Sequence, residues 1–190
     1  MPKHNSSKID PNAAQLSMDR LLSYKSPKAD RVPNIPLYMD QVLSYLDTTL
    51  RPLETNPKEP CFTKTMINNY VKSGVLKPPI KKKYDQYHLM TLTMLYRLKK
   101  SLDLKDIEVV LGNIPRQRFE EYYQHFIGVE ETVGGKLEVY SNGEASAEAL
   151  WETIVTLAVE ADAKMRLAEE LVKIYHQNMT EKVEPDNEKE

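Results

Sequence analysis

Thr63-Lys-Thr-Met-Ile-Asn-Asn-Tyr-Val-Lys-Ser-Gly74 reads as a short helix with its own start and stop. A hydroxyl at Thr63 or Thr65 can accept a hydrogen bond from a free amide of the first turn. Gly74 can take the left-handed conformation that ends a helix. Ile67, Tyr70 and Val71 share one face, and Thr65, Asn68, Asn69 and Lys72 share the other. Val75-Leu76 leads into Pro78-Pro79, which forbids continued helix. Ile80-Lys-Lys-Lys-Tyr84 is then expected to be short, extended and positive.

The pattern extends outward on both sides. Pro36 is placed to open a preceding helix, with Met39, Val42, Leu43, Leu46 and Leu50 at helical spacing behind it. Residues 52–61 hold three prolines and read as a loop. Downstream, Asp85 is a helix cap, followed by Leu89, Leu92, Leu95, Tyr96 and Leu98. Asp103 caps the next helix, with Asp106 three residues on and Gly112 at its close. Pro115 opens a helix through Phe119, Tyr122, Tyr123 and Phe126, and residues 128–143, with four glycines, are expected to form a loop or small hairpin. From about Ser146 to Asn178 the pattern is unbroken helix. Its seam of Leu150, Ile154, Leu157, Ala161, Met165, Ala168, Leu171 and Tyr175 follows a repeat of about 3.5 residues. Such a stripe needs a partner, either helix 115–127 of the same chain or the same helix of a second chain.

The net charge of −2 conceals an uneven distribution. Residues 1–61 carry 8 basic and 7 acidic side chains, residues 62–112 carry 10 and 4, and residues 113–190 carry 8 and 17. Between residues 62 and 100, nine basic side chains face Asp85 alone. A basic middle is suited to a polyanion, and the acidic remainder to another task. Only 6 glycines in 190 residues argue against a glycine-rich phosphate loop and against most all-β folds. A single cysteine, Cys61, excludes an internal disulfide and is compatible with a reducing compartment. No stretch has the length of uninterrupted apolar sequence that a membrane helix needs, and the polar start shows no export signal. A cytoplasmic location is expected.

The order of these features resembles a known family. A short helix leads through Gly74-Val-Leu-Lys-Pro78 to a basic run ending in Tyr84, a leucine-rich helix and the Leu102-Asp-Leu-Lys-Asp-Ile107 segment. This resembles the winged helix-turn-helix of the MerR transcription regulators. A closer likeness, through Tyr38-Met-Asp40 and Thr63–Lys72, is to the domain-of-unknown-function 1836 family of bacterial proteins. The MerR recognition helix typically carries an Arg-Tyr-Tyr-acid run. Here the matching positions are Asn68, Asn69, Tyr70 and Val71, so an amide stands where that family's arginine touches DNA.

The resemblance implies an all-α fold with a MerR-like winged helix-turn-helix over residues 34–113. A flexible arm at 1–33, an acidic helical module with one long helix at 114–181 and a disordered tail at 182–190 complete the expected organisation. Asparagine can pair bidentately with adenine in the major groove, and wing lysines neutralise phosphates. The expected DNA-contacting set is Thr63, Lys64, Thr65, Asn68, Asn69, Lys72 and Lys77, with Lys81, Lys82, Lys83 and Tyr84 of the wing. Tyr70 is expected to pack in the core. His88, His125 and His176 lack metal-ligand spacing, Cys61 lacks an adjacent base, and no nucleophile–base set is visible. No cofactor and no enzymatic activity are expected. Double-stranded DNA is the expected partner, with a homodimer through the long helix as a second interaction and no effector named. The competing reading is a protein-interaction adaptor whose basic surface docks an acidic partner.

Overall fold

The computed structural model describes residues 11–54, 56, 58–142 and 146–181. Among them are seven α-helices and one two-stranded sheet, in the order α1 (Pro11–Ser23), β1 (Leu37–Tyr38), α2 (Met39–Leu50), α3 (Lys64–Lys72), β2 (Lys83–Tyr84), α4 (Gln86–Leu98), α5 (Leu104–Gly112), α6 (Phe119–Leu137) and α7 (Ala147–Glu181). The protein is therefore mostly helical.

α4 is the axis of the core. Every residue from Tyr87 to Tyr96 is buried, because α2, α5 and α6 all pack against it. A helix surrounded in this way must satisfy its polar side chains internally. Thr91 Oγ1 donates to the Tyr87 carbonyl at 2.8 Å and Thr93 Oγ1 to the Leu89 carbonyl at 2.9 Å. Asp85 accepts from the His88 amide at 3.3 Å, and Asp103 from the Asp106 amide at 2.8 Å, so both expected caps are present.

Three stretches differ from the sequence reading. Pro36 does not open a helix. Leu37 and Tyr38 form a strand paired antiparallel with Tyr84 and Lys83, and α2 begins behind it at Met39. The Gln41 side chain accepts from the Tyr38 amide at 2.9 Å and so marks the real start. Residues 128–137 are not a loop: α6 runs straight through Gly128, Gly134 and Gly135. Each helical glycine costs roughly 1 kcal/mol relative to alanine. At Gly134 the backbone of α1 comes close, and a Cβ there would be in ordinary contact with the Leu22 carbonyl at 3.6 Å.

The third difference is at the N-terminal side. Residues 1–10 of the expected arm lie outside the described residues, as does the tail at 182–190. Residues 24–32 form a strap tied to the core. Ala29 and Val32 are buried, and their carbonyls accept from Gln86 Nε2 at 2.8 and 3.2 Å. Tyr123 donates to the Pro27 carbonyl at 2.8 Å. Glu130, itself 2.8 Å from Arg97 Nε, accepts from the Ser26 amide at 3.3 Å.

α7 stands apart from this core. Ser146 caps it by accepting from the Ala149 amide at 3.1 Å. Its 35 residues span about 50 Å. Its chief packing partner is α5, and Val172 is its buried contact. Helix 115–127, offered above as an intramolecular cover, does not bury the stripe: Leu150, Ile154 and Leu171 are 51%, 64% and 55% exposed.

Candidate nucleic-acid interface

α3 is held by one face and free on the other. Thr63, not Thr65, is the cap, accepting from the Met66 amide at 3.2 Å. Ile67 is fully buried, and Tyr70 packs edge-on against Phe62 with ring centroids 6.2 Å apart. Burial raises the Tyr70 hydroxyl above its ordinary value, in keeping with the core role expected for it. Gly74 ends the helix at a φ of +88°. The Leu76 amide then reaches back to the Tyr70 carbonyl at 3.0 Å, which satisfies one of the last carbonyls.

The outer face of α3 consists of Lys64, Thr65, Asn68, Asn69 and Lys72, all exposed. Lys64–Lys72 contains no carboxylate. The side chains of Asn68 and Asn69 make no hydrogen bond to another described residue, so their donors and acceptors are directed to solvent or to a ligand. Lys77, beyond Gly74, is exposed as well.

The wing is a tight hairpin, not an extended run. Ile80 and Lys83 exchange backbone hydrogen bonds of 3.1 and 2.9 Å across a two-residue turn. Lys81 and Lys82 form its tip with φ values of +49° and +64°. Positive φ at both central positions is the conformation in which Asn-Gly is usual. For a side chain with a Cβ it costs roughly 1–2 kcal/mol per residue. Two lysines are thus held, against their backbone preference, at the most projecting point of the hairpin.

The base of the wing is anchored from three directions. Tyr84 is 3% exposed and packs edge-on against His88 at 5.4 Å, so its ring anchors the wing on α4. Lys83 is half-buried with Nζ 5.0 Å from the centre of the Tyr38 ring, so it props the wing on β1 and is not at its tip. Asp85 bonds to His88 and pairs with Arg116. Burial alone would raise the Asp85 carboxyl, but Arg116 and His88 outweigh it and hold the group below the usual carboxylate range. Tyr38 was not among the residues expected at the DNA-contacting surface. It lies 45 positions before Lys83, and no local pattern links the two.

The basic excess of the middle segment also divides into two groups. Arg97 pairs with Glu130, and Lys99 lies over the Phe62 and Tyr96 rings at 4.9 and 4.6 Å. Burial lowers the Lys99 ammonium below its ordinary value. These two cations belong to the core. Lys64, Lys72, Lys77, Lys81 and Lys82 have no carboxylate partner among the described residues. Cys61 is buried, and burial, with Asp47 nearby, pushes its thiol up and away from reactivity.

The profile of a family described as a domain of unknown function, DUF1836, matches residues 27–126. This is more than half of the sequence. The chain belongs to the DUF1836 family. No curated protein and no solved structure matches it. The DUF1836 match begins inside the strap that docks on α4 and α6, and it ends within α6. It therefore runs past the boundary expected at 113 and leaves α7 outside. No described helix is long and apolar enough to cross a membrane.

Proposed function

We propose that this DUF1836 protein is a non-enzymatic transcription regulator that binds double-stranded DNA through a MerR-like winged helix-turn-helix. The observation that carries the reading is the outer face of α3: two amides, a hydroxyl and two lysines, all exposed, with no acid among them. In this reading α3 enters the major groove, and Asn68 or Asn69 pairs with adenine. Thr65, Lys64 and Lys72 position the helix on the backbone. The wing supports it. Lys81 and Lys82 at positive φ are a strain that phosphate contact would justify, since strained backbone persists where function or packing demands it. Such a protein acts where the bacterial chromosome is, in the cytoplasm.

A second copy completes the proposal. Leu150, Trp151, Ile154, Val155 and Val159 form an exposed apolar run on α7. Pairing of two such helices removes it from water and doubles the DNA contacts of one short recognition helix. The direct experiment is a mobility-shift assay on the DNA upstream of the protein's own gene, with unrelated duplex as competitor. The proposal expects a complex that survives competitor. A complex with an acidic protein under conditions where no duplex is bound would replace it with the adaptor reading.

A further inference from the structure

A cleft of about 770 Å³ lies between the exit of α3, the outer side of α5 and the last turns of α7. Its volume is within the usual range for small-molecule sites. Lys77, Lys105 and Glu108 line it, with Val109 and Met179 as apolar surface and His176 at the α7 side. The three charged side chains make no ion pair with another described residue. They are not arranged to neutralise one another.

The cleft also gathers helix ends. Gly74 follows the end of α3 and Gly112 closes α5, and both line the cleft. Helix C-termini carry about half a negative charge each and favour cations. The Glu108 carboxylate sits at Gly74, where a Cβ would meet its Oε1 at 2.9 Å. Carboxylate and helix ends therefore provide for a positive group. Lys77 and Lys105 provide for a negative one, and Val109 and Met179 for an apolar body.

We propose that this cleft binds a small zwitterionic molecule of the amino-acid class. Its ammonium meets Glu108 and the helix ends, its carboxylate meets Lys77 and Lys105, and its side chain lies on Val109 and Met179. The ligand then bridges the exit of the DNA-reading helix and the end of α7, and its occupancy fixes one against the other. This goes beyond the DNA-binding reading and does not require it.

The test is a two-dimensional amide spectrum of the full chain titrated with L-methionine, L-phenylalanine and L-lysine. Hexanoate and hexylamine, each with one charge only, are the controls. At least one amino acid is expected to shift the Gly74, Gly112 and Met179 amides saturably, with a dissociation constant around 1 mM or lower. Hexanoate and hexylamine are expected to bind at least about tenfold more weakly, the equivalent of roughly 1.4 kcal/mol. Lys105→Gln and Glu108→Gln, both at exposed positions, should each weaken binding by a similar factor while leaving the rest of the spectrum unchanged. No saturable shift with any of the three amino acids overturns the proposal. So does hexanoate or hexylamine binding as tightly as they do, or binding that both variants leave intact. Because the readout contains no DNA, a failure here is separate from a failure of the DNA-binding reading.

Discussion

α3 and α7 each leave a face uncovered, and the two faces are chemical opposites. α3 is 9 residues long and presents amides, a hydroxyl and lysines. α7 is 35 residues long and presents leucine, tryptophan, isoleucine and valine. A polar, cationic face is stable in water and is free to exchange its water for phosphates and base edges. An apolar face of that length is unfavourable in water and gains by being covered. In the proposed reading the first face meets a polyanion and the second a second apolar helix.

The largest effect should come from the wing. Changing Lys81, Lys82 and Lys83 together to Ala should lower affinity for every duplex and flatten the dependence of log K on log salt by roughly 2. At about 0.1 M salt this corresponds to roughly 10²-fold. Lys83→Ala alone should contribute least to the slope, since its ammonium is held over Tyr38. A triple variant with an unchanged slope would remove the wing from the backbone.

The α3 face comes next. Asn68→Ala or Asn69→Ala should cost about 1–3 kcal/mol on the preferred site and little on random DNA. If both variants keep full discrimination, the reading of bases by asparagine fails and specificity rests on DNA shape. For the opposite face, Ile154→Lys with Leu157→Lys should convert a sedimenting dimer into a folded monomer. The structure favours a folded product because Ile154 is exposed and Leu157 only half-buried. A wild type that is already monomeric at micromolar concentration would defeat the dimer.

Two smaller effects separate binding from folding. Lys81→Asn with Lys82→Gly relieves positive-φ strain and should raise stability by about 1 kcal/mol while lowering DNA affinity. Urea midpoints and binding curves of one preparation check both signs. The wing's anchor should show in acid. Asp85 titrates below its unfolded value of about 3.9. Its stabilisation is present above that pH and is lost as pH falls through the lower folded value. Arg116→Met should therefore destabilise the protein slightly at about pH 6, and the gap from wild type should narrow towards about pH 2.5. A gap independent of pH would mean that Arg116 acts by packing on Tyr87, 4.8 Å away, and not through Asp85.

Local signals carried most of the helical reading. Thr63, Gly74, Asp85 and Asp103 mark boundaries by hydrogen bonds within three residues or by a single backbone angle, so the sequence expresses them directly. Features made by distant residues were hidden. The β1–β2 pairing joins Tyr38 to Lys83, and the strap reaches from Ser26 to Glu130. The glycines of α6 looked like a loop because glycine disfavours helix, yet α6 continues through all three of them. The turn at Lys81-Lys82 carried a misleading signal, since neither residue favours positive φ. The exposed face of α3 was legible from helical periodicity. The propping of Lys83 on Tyr38 was not, because it depends on what β1 places beside it.

In the proposed complex the α3 face and the wing tip meet the DNA backbone and base edges. The most direct measurement is the dissociation constant of the full chain for duplex DNA across a salt series. The account predicts a linear fall of log K with log salt, about −0.9 for each phosphate contacted. With Lys64, Lys72, Lys81 and Lys82 engaged, the slope should lie near −3.6 per protomer. No binding at low salt, or an affinity that salt leaves unchanged, would contradict it.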